Sequence, residues 1–112
     1  MNIETFRNYC FSFIEVTESF PFDKETLVFK VHGKIFVLCH VENFESVNLK
    51  CDPERAIELR EQFDGINPGY HMNKKHWNTV SLFMDVSDEM LFELTKHSYD
   101  LVYASLPKKL RM

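Results

Sequence analysis

The sequence predicts an α+β fold, read as one two-layer domain over residues 1–112: an antiparallel sheet of four to five strands with three helices, in the order α-β-β-β-α-β(-β)-α. Three observations predict it. Apolar residues repeat at helical spacing near both ends and once in the middle, strand-like runs lie between them, and short connections bearing Gly or Pro separate the runs. With 112 residues, 45% apolar and 14% aromatic, the chain has the material for one ordinary hydrophobic core.

Ile3, Phe6, Cys10, Phe13 and Ile14 share one helical face behind Asn2, a good N-cap, so residues 3–15 are expected to be helical. Ser19 to Asp23 breaks this pattern, because Pro21 disfavours helical geometry at Phe20. Thr26 to Val31 and Lys34 to Val41 are rich in β-branched and aromatic residues, and His32-Gly33 between them reads as a hairpin turn. Ser46 to Cys51 alternates as a third strand, with Val47, Leu49 and Cys51 facing in and Ser46, Asn48 and Lys50 facing out. Asp52-Pro53-Glu54 starts a second helix over residues 53–63: a capping carboxylate, a proline preset at the first position, and a Glu at the positive end of the dipole.

Trp77 to Met84 alternates again, with Trp77, Thr79 and Ser81 opposite Val80, Leu82 and Met84, and Tyr70 to Asn73 is a candidate partner strand. Ser87-Asp88-Glu89 caps a last helix from 88 to about 105, which Pro107 ends before the basic tail Lys108-Lys109-Leu110-Arg111.

Composition narrows the function classes. The start of the chain lacks a basic segment followed by an apolar run, and no stretch reaches the ~20 apolar residues of a membrane span, so a cytoplasmic protein without a membrane partner is expected. Cys10, Cys39 and Cys51 form no CxxC and read as reduced packing residues. Neither His71 with His76, nor Cys39, His40 and Cys51, has the spacing of a local metal site, and the loop before Trp77 holds no carboxylate. Nucleophile elbow, P-loop and dinucleotide motifs are absent. No catalytic residue, metal or cofactor is therefore expected, and the chain does not read as an enzyme.

The net charge of −4 opposes polyanion binding by the protein as a whole, but the charge is unevenly spread. Residues 1–64 hold 12 acids and 7 bases, residues 65–112 hold 5 acids and 6 bases, and no acid lies between Asp64 and Asp85. That gap encloses the densest run of polar and aromatic side chains, residues 67–80, with Tyr70, His71, Asn73, Lys74, Lys75, His76, the only Trp, Trp77, and Asn78. Pro68-Gly69 is expected to turn the chain at its entrance. The lysines suit phosphate as point charges, assisted by N–H groups of the turn, and the aromatic faces suit base stacking. The competing roles are a solvated loop tip for the lysines, a buried anchor for Trp77, and turn fixation for Asn73 and Asn78. Asn48, Lys50, Thr79 and Ser81 are expected to form a polar strip beside this loop, provided the last helix does not cover it.

Tyr9-Cys10, Pro21-Phe22, Gly33-Lys34-Ile35-Phe36, Asn48-Leu49-Lys50-Cys51-Asp52-Pro53, residues 68–80 and Ser98-Tyr99-Asp100-Leu101-Val102 together resemble the MmcQ/YjbR family of small bacterial proteins. The resemblance implies a CyaY-like or secretion-chaperone-like α+β domain and a DNA-binding role. The nucleic-acid-binding set expected from the residues themselves is Lys50, His71, Asn73, Lys74, Lys75, His76 and Trp77, with little sequence specificity because no base-reading helix is visible. A chaperone-like protein-interaction module without nucleic acid is the alternative, and a monomer or weak homodimer is expected.

Overall fold

Three helices lie on one face of a six-stranded antiparallel sheet whose strand order is β1-β2-β3-β4-β6-β5. The elements are α1 (Ile3–Phe11), β1 (Val16–Ser19), β2 (Thr26–Val31), β3 (Lys34–His40), β4 (Ser46–Lys50), α2 (Pro53–Gln62), β5 (Ile66–Pro68), β6 (Trp77–Ser81) and α3 (Asp88–Ala104), followed by a short 3-10 turn at Lys108–Leu110. This is a computed structural model, and it describes residues 1–69 and 72–111.

The class matches the sequence reading, while two strands and one helix end differ, and β6 stops at Ser81 instead of running to Met84, because residues 82–84 turn away from the sheet and leave Phe83 and Met84 exposed. α1 stops at Phe11 rather than at residue 15: Ser12 caps it and Glu15 adopts φ 61°. The chain is thereby freed to lay β1 along the edge of β2, Val16 opposite Val31 and Ser19 opposite Val28. The partner of β6 is not Tyr70 to Asn73 but β5, which pairs Ile66 with Val80 and Pro68 with Asn78. Tyr70 and His71 lie outside the described residues, and Met72 and Asn73 are not in a strand. Pro68 is tolerated because β5 is an edge strand. The β2–β3 hairpin closes as expected through two residues with positive φ, His32 at 47° and Gly33 at 80°, the primed geometry that matches strand twist.

The core sits between the helices and one sheet face. Phe6 meets Phe29 edge to face at 6.2 Å, and Leu59, Leu91, Leu94 and Val102 close over Val47, Leu49 and Val80. Ser98, fully buried on α3, donates to the carbonyl of Phe36 at 2.6 Å and accepts the amide of Lys50 at 2.9 Å, joining the last helix to β3 and β4. The three free thiols are all buried; burial pushes Cys39 up to about 12 and Cys51 up to about 11, and raises Cys10 too, so they act as neutral packing groups.

Asp85 ties the far end of the domain together. Its carboxylate accepts the amide of Gly65 at 2.7 Å and that of Asp64 at 2.8 Å, and these bonds hold its pKa below the ordinary Asp value. A depressed carboxyl stabilises the fold above its unfolded pKa of about 4, and that contribution disappears as pH falls through the lower folded value. Asp85→Asn is expected to weaken the protein at neutral pH and to flatten its acid limb below about pH 4, read from chemical denaturation at pH 2.5 to 7. An unchanged acid limb in the variant would remove Asp85 from this role.

Candidate functional site

Alternation on six strands leaves a second sheet face that no helix covers. A row of paired positions crosses it from edge to edge, Ser19, Val28, Leu38, Asn48, Thr79 and Asn67. Asn48, Lys50, Trp77, Thr79 and Ser81 all stand on this side, half-buried. α3 packs on the other side, so the polar strip is open. Asn48 and Thr79 are joined across β4 and β6, Thr79 Oγ1 donating to Asn48 Oδ1 at 2.6 Å.

Lys50 and Trp77 are direct cross-strand partners at the end of that strip. Lys74 and Lys75 stand exposed immediately before Trp77, at the tip of the connection from β5. Strand alternation thus brings the distant Lys50 to the foot of the loop that holds the Lys pair. His76 is half-buried and its carbonyl accepts the amide of Cys51 at 2.8 Å, which stitches the loop to the end of β4. Of the expected binding set, Lys50, Asn73, Lys74, Lys75, His76 and Trp77 gather here, and His71 falls outside the described residues. The basic tail follows α3 as the 3-10 turn, with Leu110 packed partly against the core.

Asn73 organises the turn. Its Oδ1 accepts the amide of Lys75 at 2.9 Å, and its carbonyl accepts the amide of His76 at 3.2 Å and that of Trp77 at 3.0 Å. Three amides of the turn, those of Lys75, His76 and Trp77, are therefore engaged inside the loop. Gly69 opens the expected turn, its carbonyl accepting the amide of Met72 at 3.4 Å. Its amide donates to the Trp77 carbonyl at 2.8 Å, and a Cβ added to it would lie 2.8 Å from that of Trp77, so a side chain is excluded by the close approach.

The residue that sequence reasoning missed is Arg60. From α2 it donates through Nε to Asn78 Oδ1 at 2.7 Å and through Nη2 to the carbonyl of Trp77 at 3.3 Å and that of Lys74. Asn78 is buried, and among the described residues its Nδ2 has no partner. Asn78 therefore receives a guanidinium instead of bonding turn backbone.

Charge separates by layer. The helices display Glu4, Glu54, Glu58, Glu61, Asp88, Glu89, Glu93 and Asp100, whereas the strand positions of the open face include Lys30, Lys50 and His40 but no Asp or Glu. Three basic residues of the helix layer are matched locally: Arg7 with Glu18, Arg55 with Glu93 and Lys96 with Asp100. Among the described residues no ion pair forms at Lys50, Lys74 or Lys75. Nor, among them, do three His, Cys, Asp or Glu side chains gather so as to hold a metal ion, and no helix is long and apolar enough to cross a membrane.

Comparison with known proteins agrees with this architecture. The family model described as YjbR matches residues 11–101. The uncharacterised protein YbdF of Escherichia coli O157:H7 is 40% identical over 90 residues, covering 80% of this chain and 74% of its own. The uncharacterised protein YjbR of Escherichia coli K12 is 33% identical over 112 residues, 99% of this chain and 95% of its own. Among solved structures, Deinococcus radiodurans protein DR2400 superposes with a TM-score of 0.91 at 41% identity, covering 96% of this chain and 83% of that one. A Pseudomonas syringae protein gives 0.75 at 27% identity, covering 91% and 99%. A match across most of the chain and a relative alike over its full length carry the conclusion: this protein belongs to the YjbR family.

Proposed function

We propose that this protein binds nucleic acid with low sequence specificity, through the open sheet face and the loop that ends at Trp77. The observation that carries the reading is the cross-strand pair of Lys50 and Trp77 beside Lys74 and Lys75, on the one face whose strand positions lack carboxylates. Unpaired ammonium groups release counterions from phosphate, and an aromatic face next to them offers a base somewhere to stack. The Asn73 and Arg60 contacts hold that loop ready, which lowers the entropy lost on binding.

Two or three phosphates engaged would give log affinity a slope of about −2 to −3 against log salt. Titration of labelled DNA at several salt concentrations is expected to show that slope, and Lys50→Ala/Lys74→Ala/Lys75→Ala to abolish most of the binding. Absent binding at roughly 10 to 100 µM protein, or binding indifferent to salt, rejects the proposal.

A second reading is favoured by the β1 edge, where Phe11, Ile14 and Phe20 are exposed around an unpaired strand side that a partner chain could extend. It is the protein-interaction alternative. A bound protein retained through nuclease treatment and high salt would favour it over the first.

A further inference from the structure

The open face is not flat. Between the segment joining β1 to β2 and the loop before β6 it sinks into a hollow of about 520 Å³, with Phe22 on one rim and Met72 on the other. That volume lies within the roughly 300 to 1,000 Å³ typical of small-ligand clefts, which are mostly apolar with a few placed polar groups. Leu38, Asn48 and Thr79, three consecutive members of the row that crosses the sheet, lie beneath it.

Asn48 is the placed polar group. Its Oδ1 is occupied by Thr79 Oγ1 at 2.6 Å, while its Nδ2 reaches the Leu38 carbonyl only at 3.5 Å, the outer limit of a hydrogen bond. An amide nitrogen has two hydrogens, so Asn48 is left as a donor to the hollow that it lines. A carbonyl oxygen on a flat ring meets that donor, and apolar Leu38 and Phe22 suit the ring itself. Among the described residues that line the hollow there is no carboxylate; Asp23 and Glu25, next in sequence to the lining residues Phe22 and Thr26, are held by the amides of Glu25 and Thr26 and by His40 Nε2. Lys50 follows two residues after Asn48 on the same face. The hollow thus favours an apolar ring bearing a carbonyl, attached to an anion.

We infer that the hollow receives one unstacked base of a single nucleic-acid strand, with Asn48 donating to a base carbonyl and an adjoining phosphate meeting Lys50. This rests on the nucleic-acid reading for the phosphate contact and adds that the strand is single. A base paired and stacked within a duplex cannot descend between Phe22 and Met72, whereas an unstacked one is presented at little cost.

The test compares a thymidine oligomer, an abasic strand of equal length and charge, the corresponding duplex, and free thymidine monophosphate, by fluorescence anisotropy at fixed low salt. The base-bearing single strand is expected to bind about tenfold more tightly than the abasic strand or the duplex. Leu38→Trp, which fills the hollow, and Asn48→Ala are expected to reduce its affinity to the abasic level and to leave abasic binding unchanged. As a measurement needing no variant, the side-chain amide resonance of Asn48 in the wild-type protein is expected to shift with the thymidine oligomer and not with the abasic strand. Equal affinity for base-bearing and abasic strands overturns the hollow but leaves the lysine contacts standing. Failure of every polyanion to bind overturns both. Tighter binding of the duplex, or of the free nucleotide, overturns the assignment to a strand.

Discussion

Arg60→Ala is expected to cost about 2 to 3 kcal/mol of stability and to weaken nucleic-acid binding at the same time. The guanidinium serves three acceptors at once, Asn78 Oδ1 and the carbonyls of Lys74 and Trp77. Removing it leaves the whole Asn78 amide, buried and already unpartnered at Nδ2 among the described residues, without a hydrogen bond. A buried polar group deprived of its partner loses the full desolvation penalty, about 1 to 3 kcal/mol, and charged donors lie at the upper end. Two loop carbonyls are released as well, so the Lys pair and Trp77 lose the geometry that readies them. Arg60→Lys is expected to recover only part of either loss, since an ammonium group gathers its donors at one point and cannot span the acceptors that Nε and Nη2 reach separately. Urea unfolding gives the stability term, and the fluorescence of Trp77, the only Trp, reports the loop. A stability loss under about 1 kcal/mol with unaltered fluorescence would show that Arg60 does not organise this site.

Phe36→Ala is expected to cost about 3 to 5 kcal/mol, a large share of the roughly 5 to 15 kcal/mol that stabilises a domain. Phe36 is fully buried, with Tyr99 at 5.3 Å, Phe13 at 6.3 Å and Phe29 at 6.5 Å between ring centres. It sits where β3 departs from regular pairing with β2, the register shifting between Phe29 and Lys30, and its carbonyl accepts Ser98. Truncation opens a cavity between the sheet, α3 and the segment that follows α1, which close-packed neighbours only partly fill. The melting temperature should fall by about 4 °C per kcal/mol at this chain length. Because Phe36 faces the helices, DNA affinity measured well below the transition is expected to stay at the wild-type value. A melting temperature within about 3 °C of wild type would mean that the core relaxes around the lost ring.

Most of the fold was legible because periodicity and caps are local signals. Asn2, Asp52 and Ser87 each accept the amide three residues on, as their positions predicted. What escaped was non-local. β1 puts only Val16 and Glu18 on the helix side, and Glu18 is satisfied by Arg7 of α1, so no apolar alternation marks it as a strand. β5 is three residues long and ends in Pro68, which in sequence reads as punctuation. At the site, alternation found the face of Asn48 and Lys50, and Asn73 behaves as a turn former does. Arg60 gave no signal: in the sequence it is one more charge on an amphipathic helix, and only the packing of α2 on β5 and β6 delivers it to a loop 14 residues away.

The layering of charge also bears on how many copies a long polymer can accept. Each docked molecule would turn its carboxylate-bearing helices away from the polymer and keep a net charge of −4, so close neighbours repel over about 10 Å at ordinary ionic strength. Coverage would then be sparse and anticooperative, the habit of a solitary passenger instead of a coat, and crowding would grow easier as salt is added even while each individual attachment weakens.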